Sequence, residues 1–123
     1  MFAPYHLGTN DRDSSDLIEP LEDIIRLLRV RNPHVVVLVG QLTLHDWKAP
    51  LRRFRVNRMV NRLNTPESPV VAVNHFEGWV EDPSRKETDT YDWIHPNPRG
   101  QARMALAWFA ALRPHLKGTS ATM

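Results

Sequence analysis

Apolar residues recur along this chain in two rhythms, and the switches between them lay out its elements. Leu17, Leu21, Ile24, Ile25 and Leu28 fall at helical spacing, one stripe of a 3.6-residue period. The spacing predicts a helix with Pro20 in its first turn, where a missing N–H costs nothing. It should end near Asn32-Pro33, because the residue before a proline avoids helical geometry. Val35 to Val39 is an unbroken β-branched and leucine run, the pattern of a strand buried on both faces in a parallel sheet. Pro69 to Val73 repeats it. Between them, Gly40 to Pro50 reads as a loop and Arg52 to Leu63 as a helix, with Val56, Met59, Val60 and Leu63 inward and the arginines outward. Phe2 to Leu7 reads as the end of a strand, although Pro4 cannot donate to a ladder. His75 to Tyr91 is a long charged connection, of a length that marks a functional or mobile segment. Asn97 and Pro98 make an N-cap and first-turn pair. The last helix they open carries the stripe Ala105, Trp108, Phe109 and Leu112, with Trp108 and Phe109 as core, and stops at Pro114. Residues 117–123 read as a frayed tail.

Strand, helix, strand, helix, strand, helix is the order of a parallel α/β sheet with right-handed crossovers. One domain over residues 1–116 accommodates all six elements. Ligands in such sheets bind beyond the carboxyl ends of the strands. Two polar turns fall on that rim: Gly8-Thr9-Asn10-Asp11 after the first strand, and Asp92-Trp93-Ile94-His95-Pro96 beyond the third.

Composition narrows the classes without choosing among them. The basic set is 13 arginines to 3 lysines, which lifts the isoelectric point to 9.4 while the net charge is only +2. That charge implies no dedicated polyanion partner. With no cysteine, a disulfide framework, a thiolate metal site and a thiol nucleophile are excluded, and the redox compartment is undetermined. The first residues lack the basic and apolar regions of a signal peptide, and no apolar run approaches the ~20 residues of a membrane span.

The rim turns carry the chemistry. A carboxylate at Asp92 and an imidazole at His95, three positions apart on a proline-stiffened turn, form the pair an acyl-transfer enzyme needs. The carboxylate fixes the tautomer and stabilises the imidazolium as it takes a proton from a nucleophile. Asn10 can present its amide to a developing oxyanion. Taken by itself the dyad also fits a turn aspartate and a surface histidine, and Asn10 a turn residue. No serine has the setting of a nucleophile. Ser14 and Ser15 lie on a polar connection that suits helix capping rather than a strained strand-to-helix elbow, and Ser68 and Ser84 are loop residues. His6, His34, His45, His75 and His115 show no ligand spacing, so no metal is expected. Arg52, Arg53, Arg55, Arg58 and Arg62 read as a solvated outer face rather than a nucleic-acid surface. Trp47 and Trp79 sit in rim loops, where sugar or acyl contact is one reading and ordinary packing the better one.

These residues resemble the SGNH or GDSL-type ester hydrolases over Tyr5 to Leu116. Gly8-Thr9-Asn10-Asp11 is similar to that family's third block. The stretch from Thr88 through Asp92, His95 and Asn97 to Gly100 is similar to its fifth, and the strand ending in Gln41 also fits. The resemblance is nearest to acetyl-ester-cleaving members such as the third carbohydrate esterase family. It implies a three-layer, flavodoxin-like α/β/α fold, catalytic roles for Asp92 and His95, and an oxyanion role for Asn10. It implies no cofactor, a short-chain, acetyl-type ester on a carbohydrate as substrate, and neither nucleic acid nor membrane as partner. Where members often carry glycine after the aspartate, this chain has Trp93, which narrows the mouth of the site and is a candidate substrate contact. The family's Gly-Asp-Ser block and oxyanion-glycine block have no room before Gly8. The expectation is therefore a carboxy-terminal portion of the fold, lacking the amino-terminal strands, inactive alone and poorly soluble. Its first strand would be an exposed edge prone to self-association. The alternative is a non-catalytic remnant or interaction module of the same fold.

Overall fold

The computed structural model describes residues 2–6, 15–41 and 49–116, with side chains described over 18–41 and 49–116. Six main elements follow one another: β1 (Phe2–His6), α1 (Ser15–Arg31), β2 (Val36–Gln41), α2 (Ala49–Leu63), β3 (Val70–Asn74) and α3 (Pro98–Leu112), the last running into a 3₁₀ turn over Arg113–His115. The strands form one parallel sheet in the order β1-β2-β3, with Phe2 opposite Val36 and Val37 opposite Val70. Chain order equals spatial order, as short crossovers favour. Among the described residues β1 is thus an edge strand, one of the few settings within a sheet that tolerate Pro4.

Alternation along the strands divides the core in two. Val37, Val39 and Val70 share one face and pack with Leu21 and Ile25 of α1 and with Val56, Met59 and Val60 of α2. Leu38 and Val73 are equally buried but belong to the opposite face by the period of two, where α3 contacts β2 and β3. Helices therefore lie on both faces of a parallel sheet. This is the α/β/α arrangement that the alternation of elements predicts, and it explains why β2, covered on both sides, is apolar throughout.

Several details depart from the sequence reading. Pro20 is the sixth residue of α1 rather than part of its first turn; it is exposed and forfeits only one intrahelical bond. β2 runs on to Gln41, whose buried amide donates to Asn57 Oδ1 of α2 at 2.5 Å. Arg52 is buried, not outward, on the stripe Ala49, Arg52, Val56, Met59 and Val60. The helix through Ala105 is phased differently from expectation. Phe109 is 52% exposed and Leu106 68%, while Gly100, Arg103, Met104, Ala107, Trp108 and Ala111 face inward. Two of those inward positions are a glycine and an arginine, which hides the stripe from an apolar count. Phe109 is thus no core residue, and Trp108 is half-buried, edge-on to His75 with ring centroids 4.7 Å apart. Residues 117–123 lie outside the described residues.

Candidate active site

The connection from β3 to α3 is long but closely bonded. Asn74 turns the chain by accepting the Phe76 and Glu77 N–H groups on Oδ1, both at 3.0 Å. Val80 and Asp89 then clasp twice: Asp89 N–H donates to the Val80 carbonyl at 2.8 Å, and Val80 N–H to Asp89 Oδ2 at 2.9 Å. Further on, Thr90 bridges antiparallel to Pro96 and Tyr91 N–H donates to the His95 carbonyl at 2.9 Å. A small closed loop results, with Asp92 and His95 at its tip.

Within the loop the two oxygens of Asp92 have separate tasks. Oδ1 accepts the backbone N–H of Ile94 at 3.1 Å and of His95 at 2.7 Å, a local turn that short acidic side chains favour. Oδ2 meets His95 Nδ1 at 2.6 Å. The His95 N–H first, and its ring second, pull the Asp92 carboxyl down to about 2. At neutral pH the carboxylate is ionised and accepts only, so Nδ1 carries the proton, and in the neutral ring the lone pair is that of Nε2. Nε2 is then a base on an exposed ring, 72% accessible. Trp93 joins the pair with φ of +75°, a left-handed conformation that glycine takes freely and a bulky residue adopts at a cost. Thr90 Oγ1 accepts its N–H at 3.0 Å.

Beneath the tip lies a brace of which the sequence reading singled out only the Asn97 cap. Asp89 is fully buried; Arg103 reaches its Oδ2 at 3.5 Å, and Arg99 Nε stands 3.3 Å from Oδ1. Asn97 ties three parts together. Its Oδ1 accepts Gly100 N–H at 2.9 Å as the cap of α3, its side-chain amide donates to the Thr88 carbonyl at 2.8 Å, and its own N–H reaches the Asp89 carbonyl. A Cβ on Gly100 would stand 2.1 Å from that carbonyl oxygen, so only glycine lets α3 start so close to the loop. Trp79 also packs there, its ring against Gly100. The clearest available signal was Thr88-Asp89-Thr90 itself, two turn-forming hydroxyls around an acid.

Other sequence candidates fall elsewhere. Asn10, Asp11, Ser14, His45 and Trp47 lie outside the described residues, as does the Ser15 side chain. Ser68 is engaged, donating to the Val35 carbonyl at 2.6 Å and accepting from Arg29; Ser84 bonds Asp82 at 2.7 Å. Among the described residues no group of three or more His, Cys, Asp or Glu is placed to hold a metal ion. A cavity of about 160 Å³ beyond β3, between His75, Glu77, Trp79 and Arg103, does not include the dyad in its lining.

A family model described as GDSL-like lipase/acylhydrolase matches residues 7–108. The chain belongs to this family. No curated protein matches it. Two solved structures share the GDSL-type fold with it. One is an acetyl esterase mutant with acetate ion, at a TM-score of 0.76 and 24% identity. The other is a carbohydrate esterase family 3 protein from Talaromyces cellulolyticus, at 0.77 and 24%. Each likeness covers 92% of this chain but 57% of the other, so this GDSL-type chain spans little more than half the length of those proteins. The family match includes the dyad loop and most of α3, the part of the fold whose geometry is described above.

Proposed function

We propose that this chain serves carboxylic-ester hydrolysis of the serine type, with His95 as general base and acid and Asp92 as its orienting partner. One observation carries the reading: the 2.6 Å contact from His95 Nδ1 to an ionised Asp92, which leaves the exposed Nε2 for proton transfer. In the reaction a serine hydroxyl gives its proton to Nε2 as its oxygen attacks the ester carbon. The Asn10 amide donates to the oxyanion, and collapse expels the alcohol, which takes the proton back from Nε2. Water repeats the sequence on the acyl-enzyme and releases the carboxylate; no cofactor takes part. By the family resemblance the attacking serine belongs to a Gly-Asp-Ser block, a motif these 123 residues do not contain; Ser68 and Ser84 are bonded elsewhere and Ser15 opens α1. The substrate proposed, a short-chain, acetyl-type ester on a carbohydrate, rests on the fold shared with an acetyl esterase and a carbohydrate esterase. A second reading, a non-catalytic module of this fold, is favoured by the lack of a serine bonded to His95 among the described residues.

The test uses p-nitrophenyl acetate. The pure chain should be silent. An open reading frame extended upstream to an in-frame Gly-Asp-Ser segment should turn the ester over, and His95→Ala should cut that turnover by at least roughly a thousandfold. Turnover by the short chain, abolished by His95→Ala, would place the nucleophile within it; an extended, folded and inactive protein would favour the module.

A further inference from the structure

The backbone at Trp93 is held where an aromatic residue does not belong, and the tip around it is unusually apolar for its exposure. Its φ of +75° is one that glycine adopts without cost, yet the position carries the largest side chain available. Three bonds fix the conformation: Thr90 Oγ1 accepts the Trp93 N–H, and Asp92 Oδ1 accepts the two that follow. Tyr91, Trp93 and Ile94 are 64%, 53% and 49% exposed, so burial of these side chains in the core does not account for them. Trp93 is also one residue from Asp92 and two from His95, so its Cα lies within roughly 7 Å of both. A strained residue persists where its side chain or geometry serves the site.

We infer that Trp93, flanked by Tyr91, is a stacking platform for a pyranose ring, and so a specificity-determining residue for the leaving-group side of the ester. This rests on the esterase reading for its role in the reaction but not for binding itself. The apolar C–H face of a sugar lies flat on the electron-rich face of an aromatic ring, while the indole N–H and phenol hydroxyl serve its hydroxyl groups. Residues 90–98 contain no lysine or arginine and one carboxylate, Asp92, which disfavours an anionic lipid surface as the occupant of this tip. Thr90 is a positioning residue, holding the strained turn through its hydroxyl.

The test follows the indole N–H resonance of Trp93 in ¹⁵N-labelled full chain, assigned by its loss in Trp93→Tyr, during titration with unacetylated cellohexaose. The resonance should shift saturably. By isothermal titration calorimetry with the same sugar, Trp93→Gly, which suits the backbone and removes the ring, should bind roughly tenfold more weakly, while Trp93→Tyr, as strained as the parent but still aromatic, should keep most of the affinity. None of these readouts passes through ester turnover, so failure of the esterase reading leaves this outcome untouched. An unmoved indole resonance, equal affinity in Trp93→Gly, equal loss in Trp93→Tyr and Trp93→Gly, or a shift caused by phosphatidylglycerol vesicles and not by the sugar would each overturn the platform.

Discussion

Asp92 sits on the exposed tip of its loop and yet is held well below the ordinary carboxylate range. Its carboxyl falls from 3.8 to about 2 because the His95 N–H and ring bond the charged form. A depressed carboxylate supports the folded loop at any pH above its unfolded value and loses that support as pH falls through its folded one. The window is therefore about 4 down to about 2. The Ile94 and His95 amide protons should report it directly, shifting with a common midpoint near 2 when followed by NMR; a midpoint at 3.8 would mean the bonds to Asp92 are not formed in solution. At this scale the sequence was legible where function is local. A three-residue spacing places both groups of the dyad on one turn, and the short aspartate side chain closes that turn by itself. Asp89 was not legible. Its burial depends on Arg99 and Arg103 arriving from α3, and in sequence it is one more acid in a charged connection.

Between elements, the join of α3 to the dyad loop is the point of least tolerance. Glycine to alanine inside a helix ordinarily stabilises by about 1 kcal/mol. At position 100 the added carbon would meet the Asp89 carbonyl oxygen at 2.1 Å and the Trp79 ring at 2.8 Å, and backbone on one side cannot yield cheaply. Gly100→Ala should thus destabilise by roughly 1–3 kcal/mol, read from urea unfolding, with broadening of the His95 resonances; a more stable variant would show that α3 is free to move away. The elements themselves were legible because two periods alternate cleanly. Their phases were not always so. An amphipathic count assigns inward positions to apolar residues, and Arg52, Arg103 and Gly100 break that rule because each meets a particular neighbour. Arg29 does the same on α1, donating to the Leu63 and Ser68 carbonyls and to Ser68 Oγ. It joins the ends of two helices to the entry of β3.

At the scale of the whole molecule, the sheet has a protected centre, and among the described residues both β1 and β3 are its edges. β2 is paired on both sides, whereas β1 pairs only with β2 among the described residues. Strand adjacency could be anticipated because consecutive parallel strands joined by one helix usually lie side by side; the far side of β1 could not, since no pattern within a strand reveals what pairs with it. An unpaired strand edge is a template for another chain. Pro4 blunts it only at one position, because the other β1 residues keep their N–H groups. The purified chain should therefore associate at tens of micromolar, its sedimentation-velocity mass rising above 14.2 kDa with concentration. A single 14.2 kDa species at every concentration would mean that the β1 edge is closed by some other part of the chain.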